Sequence, residues 1–159
     1  MLQFESLGAL AQHLTSDAIT ELRPLQRGLE RAAVLIEKSA KEEIGHYQPD
    51  VGPFPEWAQL AESTEAQKAA HGYPTGAPLL RTGALQKSIQ HEVHPLEAII
   101  GSTDEVMTYH EFGTSKMPPR PVMGPALFKN IAEVQRLIGG AAAEGLAGGQ
   151  VIPGDDYSL

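Results

Sequence analysis

An apolar stripe with a helical repeat dominates the first third of the sequence. Within residues 22–44, apolar side chains recur every three or four positions, at Leu22, Leu25, Leu29, Ala32, Ala33, Ile36, Ala40 and Ile44. This repeat predicts one amphipathic helix of about 30 Å, because each helical residue adds about 1.5 Å. Pro24 fits its first turn, and Gly45 fits a left-handed C-terminus. A helix with one apolar face needs a cover, so the rest of the chain must fold against it.

A shorter stripe precedes this helix. Leu7, Leu10, Ala11 and Leu14 share one helical face, and Ser6 is placed to cap its start. The polar residues 15–17 then predict a break between two separate N-terminal helices.

The second half of the chain predicts a small sheet and a further helix. A short helix opens at Thr82, a strand or hairpin covers Val93 and 96–101, and 106–112 is a third strand candidate. A last helix is expected over 125–138. The predicted fold class is α+β, with a small, mostly antiparallel sheet packed against a long N-terminal helix and a C-terminal helix. The expected core residues are Leu25, Leu29, Ile36, Leu85, Ile89, Ile99, Leu127, Ile131 and Val134.

Proline and glycine set the domain organisation. The chain holds 16 Gly and 12 Pro, and many of them punctuate residues 46–80. We expect a single domain over 1–138, with 46–80 as an extended arm or loop, and a flexible tail over 139–159. The arm is either a solvated linker or a segment laid over a neighbouring subunit. Its aromatic residues Phe54, Trp57 and Tyr73 favour the second interpretation, because they are costly to expose.

Charge and composition exclude several classes of protein. With 12 Lys and Arg against 20 Asp and Glu, the net charge is −8, which disfavours a protein that grips nucleic-acid phosphates. The absence of cysteine excludes disulfides, thiolate nucleophiles and Cys-based zinc sites. No apolar run reaches the ~20 residues of a membrane span, and the start lacks a basic signal-peptide region. We expect a soluble, acidic protein of the cytoplasm or assembled from it.

No catalytic motif is present. His91 and His94 are three residues apart, whereas a metalloprotease helix places two histidines four apart with a glutamate between them. No Gly-x-Ser-x-Gly or phosphate-binding loop occurs. We therefore expect a non-enzymatic protein without cofactor or metal. The alternative from another class is a small metal-dependent hydrolase that uses His91, His94, His110 and Glu111.

Four short motifs follow one another in order along the middle of the chain. They are Trp57-Ala-Gln-Leu60, Leu80-Arg81-Thr82-Gly83-Ala84-Leu85 with Ser88-Ile89, Tyr109-His110-Glu111-Phe112-Gly113-Thr114, and Met117-Pro118-Pro119-Arg120-Pro121. Over roughly residues 1–138 the chain resembles the virion morphogenesis proteins of long-tailed bacteriophages, also called tail-completion or neck proteins.

The resemblance implies a structural role. Such proteins complete the tail or neck and allow heads and tails to join, so the implied location is the virion, after assembly in the host cytoplasm. The implied partners are the tail tube or tail terminator, the head connector or closure protein, and further copies of the chain in a ring, without membrane or sequence-specific nucleic acid. The implied interface residues are Trp57, Thr82, Gly83, Tyr109, His110, Phe112, Gly113, Pro118, Pro119, Arg120 and Pro121.

The proline-rich segment gives this interface a physical basis. Prolines lose little entropy on docking, so 117–121 would act as a stiff strut. Arg120 would direct its guanidinium at a partner or, in the other interpretation, would cap a helix C-terminus of its own subunit.

Overall fold

A computed structural model describes residues 6–146, except for the side chains of 9–11, 13–21 and 146. The fold is α+β, as predicted. A two-stranded antiparallel sheet packs against a long N-terminal helix and a C-terminal helix. The elements in chain order are α1 (Leu7–Glu43), α2 (Glu62–Ala70), α3 (Ala84–Ser88), β1 (Ile89–His94), β2 (Glu97–Ser102), α4 (Val106–Phe112) and α5 (Met123–Leu146).

The N-terminal helix is continuous, so the predicted break at 15–17 is wrong. The low helix propensities of Thr, Ser and Asp are a weak preference that does not interrupt the helix here. Pro24 lies inside α1 instead of in its first turn, where it removes one hydrogen-bond donor from the helix. Beyond the helix, Gly45 adopts φ 97° as predicted, and its N–H donates to the carbonyl of Pro78 over 2.9 Å.

The chain forms two compact units that share its long helices. The first contains α1 up to Ala32, the hairpin tip Val93–Ala98, and α5 from Glu133. Helix α1 approaches α5 closely at Gly28, where an added Cβ would lie 2.5 Å from the Cβ of Ala141. An ion pair of 2.6 Å between Arg27 and Glu144 joins the same two helices.

The second unit contains Ala33–Glu92 and Ile99–Ala132. Its fully buried or nearly buried apolar side chains come from α1, β1, α4, α5 and the loops, and are Ala33, Ile36, Ala40, Ile44, Trp57, Ile89, Met107, Val122 and Ala126. Helix α1 contacts β1 through a hydrogen bond between Glu37 and His91, and contacts α5 through an ion pair of Glu43 with Lys129. Burial raises the pKa of the Glu43 carboxyl, although Lys129 acts against this shift.

Three of the predicted core residues are exposed. Ile36 and Ile89 are buried as expected, but Ile99, Leu127 and Ile131 are 50%, 45% and 46% exposed. Ile99 points away from the covered face of β2, since neighbouring strand residues alternate between faces. The remaining predicted core residues are half-buried, namely Leu25, Leu29, Leu85 and Val134.

Two elements in the second half of the chain differ from the prediction. Residues 106–112 form helix α4 and not a third strand. Helix α5 runs through Gly139 and Gly140 to Leu146, so the predicted tail does not begin at 139. The rest of that tail, 147–159, lies outside the described residues. Within 6–146, no helix is both long and apolar enough to cross a membrane.

Candidate partner interface

Helix α4 is fixed at both ends by local contacts. The Asp104 carboxylate accepts the Val106 N–H over 3.0 Å at its start. At its end, Gly113 takes φ 72°, a region that favours glycine. An added Cβ at Gly113 would lie 2.9 Å from both the Met117 carbonyl oxygen and the Pro119 nitrogen. The chain can therefore turn sharply here only with glycine.

The inner face of α4 is held against other segments of the second unit, to which α4 belongs. Met107 is 5% exposed, and the Glu111 carboxylate accepts the N–H groups of Val122, Met123 and Gly124 over 2.7 to 3.2 Å. These donors lie at the start of α5, where helical N–H groups have no partner within the helix. Glu111 thus caps α5 from a different helix.

The outer face of α4 is apolar and exposed. Val106, Tyr109 and Phe112 are 42%, 49% and 78% exposed. Their spacing places them within about 120° of the helix circumference, at 3.6 residues per turn. Beside Phe112 lies a shallow cavity of about 190 Å³, lined also by Thr108 and Met123. We call the side chains of Val106, Tyr109 and Phe112 the α4 ridge.

The segment after α4 folds back along it. Residues Thr114 and Met117 form an antiparallel bridge, and the Arg120 N–H donates to the His110 carbonyl over 2.6 Å. The Trp57 indole N–H then donates to the Pro121 carbonyl over 3.2 Å. The strut 117–121 is therefore anchored to its own subunit at Arg120 and Pro121.

Arg120 is an internal residue. It is 5% exposed, and its Nη2 donates to the carbonyl oxygens of Ala58 and Gln59 over 2.9 and 3.3 Å. These carbonyls belong to a loop and not to a helix C-terminus. Burial lowers the pKa of the Arg120 guanidinium, with a small opposing effect from Tyr47.

The predicted interface residues differ in exposure and form three groups. Tyr109, Phe112, Pro118 and Pro119 are exposed, whereas Trp57, Arg120 and Pro121 are buried within their own chain, and His110 and Gly113 are half-buried. Thr82 is exposed and accepts the Ala84 N–H through Oγ1 over 3.4 Å at the start of α3, beside half-buried Gly83. Partner binding at any of them stays a prediction, but only the exposed group presents its side chains at the surface of this chain.

The residues of the alternative hydrolase are not gathered into a metal site. His91 pairs with Glu37, while Glu111 is occupied by the start of α5. Among the side chains that the structure describes, no group of three His, Asp or Glu residues is placed to hold a metal ion.

Sequence reasoning missed the structural role of Glu111. The signal was available in its spacing, because Met107, His110 and Glu111 follow the i, i+3, i+4 pattern of one helical face. The exposed residues Val106, Tyr109 and Phe112 occupy the other positions. Read in this way, the segment is a helix with one inward face.

Comparisons of the chain with models of protein families, with curated proteins and with solved structures found no match.

Proposed function

We propose that the chain is a structural, non-enzymatic subunit of a phage head–tail junction, which completes the tail or neck and enables heads and tails to join. The order of motifs in the sequence motivates the proposal. The chain is acidic, with a net charge of −8, which favours protein partners over a nucleic-acid backbone.

The α4 ridge is the observation that supports this role best. Exposed aromatic side chains on a rigid element bind partners well, because they bury a large area and lose little conformational entropy. Phe112 is 78% exposed on a helix that is fixed at Asp104, Glu111 and Gly113. A ridge presented in this way suits a pocket on a neighbouring protein.

The proposed partners are of two kinds. One is a further copy of the chain, in a ring at the end of the tail or neck. The other is a phage protein at the junction, namely the tail tube or tail terminator on one side, or the head connector or closure protein on the other. The proposed location is thus the virion, after assembly in the bacterial cytoplasm.

The test uses Phe112→Ala and Tyr109→Ala in the phage or prophage that encodes the chain. We expect both variants to stay folded and to reduce the yield of joined, infectious particles, because losing an interface anchor costs about 2 kcal/mol or more of binding. Particle titre and electron microscopy of unjoined heads and tails measure the effect.

The matched control is Leu96→Ala, which removes an apolar side chain that is 69% exposed in the hairpin turn. We expect this variant to give the wild-type titre. Wild-type titres for both ridge variants would show that the ridge is not the contact. A gene located outside any phage or prophage region would contradict the proposal as a whole.

A further inference from the structure

A cationic cavity lies on the inner side of the strut, within the second unit. Its volume is about 310 Å³, the small end of the range for ligand sites. Five of its lining residues carry basic side chains, namely Lys68, Arg81, His110, Lys116 and Arg120, and no acidic residue of the described chain lines it. A concentration of basic groups is unusual in a chain whose net charge is −8.

Arg120 lines this cavity, and its guanidinium has unused donors. Of the five N–H donors of an arginine, Nη2 uses two on the carbonyls of Ala58 and Gln59. The Nε–H is buried without an acceptor in the described chain. The Nη1 group also has no acceptor among residues 6–146, but it is not enclosed as Nε is. A buried cation with this many free donors is costly unless an anion or acceptor joins it.

His110 adds a second unsatisfied group. Its Nδ1 is buried and has no hydrogen-bond partner in the described chain. Burial, together with the positive charge of Arg120, lowers the pKa of the His110 imidazole. The ring is therefore neutral near pH 7, with one N–H to donate. Two adjacent lining residues thus each carry a polar atom that the protein leaves unpaired.

The other basic residues define the shape and the entrance of the site. Lys68 is already bound, since its Nζ donates to the Ala77 carbonyl over 2.5 Å. The Arg81 guanidinium lies over the Tyr73 ring, 4.9 Å from its centroid. Lys116 is exposed. The remaining walls are largely apolar and include Leu60, Leu79, Met117 and Pro118.

We propose that this cavity is a binding site for a carboxylate carried on a short apolar body, with Arg120 as its main anchor. The unused guanidinium donors suit the planar carboxylate, which accepts charge-assisted hydrogen bonds. The apolar walls favour an alkyl group over a fully hydrated anion such as inorganic phosphate. The proposal does not depend on the head–tail assignment, because it concerns the inner side of the strut and not the α4 ridge.

Titration of the full chain with hexanoate tests the site directly. Calorimetry should show saturable 1:1 binding of hexanoate, and hexanamide, which has the same body without the charge, should bind at least about tenfold more weakly. Inorganic phosphate should bind more weakly than hexanoate. In the wild-type protein, the NMR signal of the Arg120 Nε–H should shift on titration with hexanoate and not with hexanamide.

Substitutions of single residues test whether Arg120 and the cavity account for hexanoate binding. Arg120→Gln should weaken hexanoate binding at least about tenfold, whereas the matched control Arg136→Gln, an arginine paired with Glu133 in the first unit, should leave it unchanged. If Arg120→Gln does not fold, Met117→Trp provides a second test, because the larger ring would fill the cavity while Arg120 stays in place. It should abolish binding.

The source of the carboxylate is resolved by a second ligand, the blocked peptide acetyl-Leu-Glu-Leu-amide. Tighter binding of this peptide than of hexanoate supports a glutamate side chain supplied by a protein, and the reverse order supports a free small acid. No saturation by either ligand below about 10 mM, a free energy weaker than about 3 kcal/mol, would overturn the proposal. So would equal binding of hexanoate and hexanamide.

Discussion

The outer and inner sides of residues 106–121 differ in what they can contribute. The outer side carries the α4 ridge, whose three residues are between 42% and 78% exposed. The inner side carries Glu111, Arg120 and the Pro121 carbonyl, which are tied to α5 and to the loop around Trp57. This difference separates the residues that hold the segment in place from those available to a partner. Substitutions on the two sides should therefore affect different measurements.

The inner side itself contains two charged groups, half-buried Glu111 and buried Arg120, that differ in how fully they are hydrogen-bonded. The carboxylate of Glu111 accepts three backbone N–H groups, and neither of its oxygens is left unpaired. The guanidinium of Arg120 uses only Nη2, and its Nε–H is unpaired. The fold therefore supplies hydrogen-bond partners for both oxygens of Glu111. Under our proposal, the missing partners of Arg120 come from a ligand.

Trp57 should give the largest change in stability. Trp57→Ala removes a side chain that is 3% exposed, and we expect it to lower the free energy of unfolding by about 3–5 kcal/mol. Trp57→Phe keeps much of the buried area but leaves the Pro121 carbonyl unpaired, so about 1–3 kcal/mol is expected. Urea denaturation measures both. Losses below about 0.5 kcal/mol in both variants would place the Trp57 ring at the surface, where a partner could use it.

Glu111→Ala should have the next largest effect. It leaves three N–H groups at the start of α5 without their acceptor, and we expect a loss of about 2 kcal/mol in urea denaturation. Glu105→Ala is the matched control, since Glu105 is exposed and its side chain makes no capping bond to α4. It should change stability by less than about 0.5 kcal/mol. Equal losses in the two variants would mean that Glu111 does not cap α5.

His110 should make a smaller, pH-dependent contribution to the free energy of unfolding. Burial and Arg120 hold the pKa of the His110 imidazole below its usual value of 6.5. Between that lowered pKa and about 6.5 the unfolded chain binds more protons than the folded chain, so this contribution to stability is lost as pH falls. The contribution is complete above about pH 6.5. Urea denaturation at about pH 7.5 and 5.5 should show the loss in the wild type and less of it in His110→Gln. An identical loss in both proteins would assign it to other groups.

The α4 ridge should give the smallest change in stability. Phe112→Ala and Tyr109→Ala remove side chains that are 78% and 49% exposed, and we expect each to alter the free energy of unfolding by less than about 0.5 kcal/mol. The contrast with Trp57→Ala is the direct test of the two sides. A loss above about 2 kcal/mol for Phe112→Ala would show that the ring packs within its own chain.

The periodicity of apolar residues predicted long elements well. It gave little information about short ones. The apolar stripe over 22–44 predicted the C-terminal half of α1, and the apolar runs at Val93 and 96–101 predicted a strand or hairpin, which is the β1–β2 hairpin. Residues 106–112 were predicted as a strand because Val, Thr, Tyr and Phe favour strands. They form a helix whose Met107 and Glu111 are held by contacts distant in sequence. Seven residues carry too little local preference to oppose such contacts.

The sequence suggested candidate residues for the interface but not which of their side chains point outward. Tyr109, Phe112 and Arg120 were all interface candidates, with a role inside its own subunit as the alternative for Arg120, and only the first two are exposed. Residue type does not distinguish them, because aromatic and arginine side chains are common both in interfaces and in buried anchoring positions. Their orientation follows from the turn at Gly113, which brings Arg120 back to His110.

By itself, the sequence determined the α+β class, the long amphipathic helix and the left-handed turn at Gly45, because each depends on a local period or on the backbone freedom of glycine. Only the tertiary structure decided that α1 continues through 15–17, that Ile99, Leu127 and Ile131 are exposed, and that Arg120 and His110, each with an unpaired buried nitrogen, line one cavity. Burial and hydrogen-bond satisfaction are set by segments far apart in the chain. No local pattern records which of them will meet.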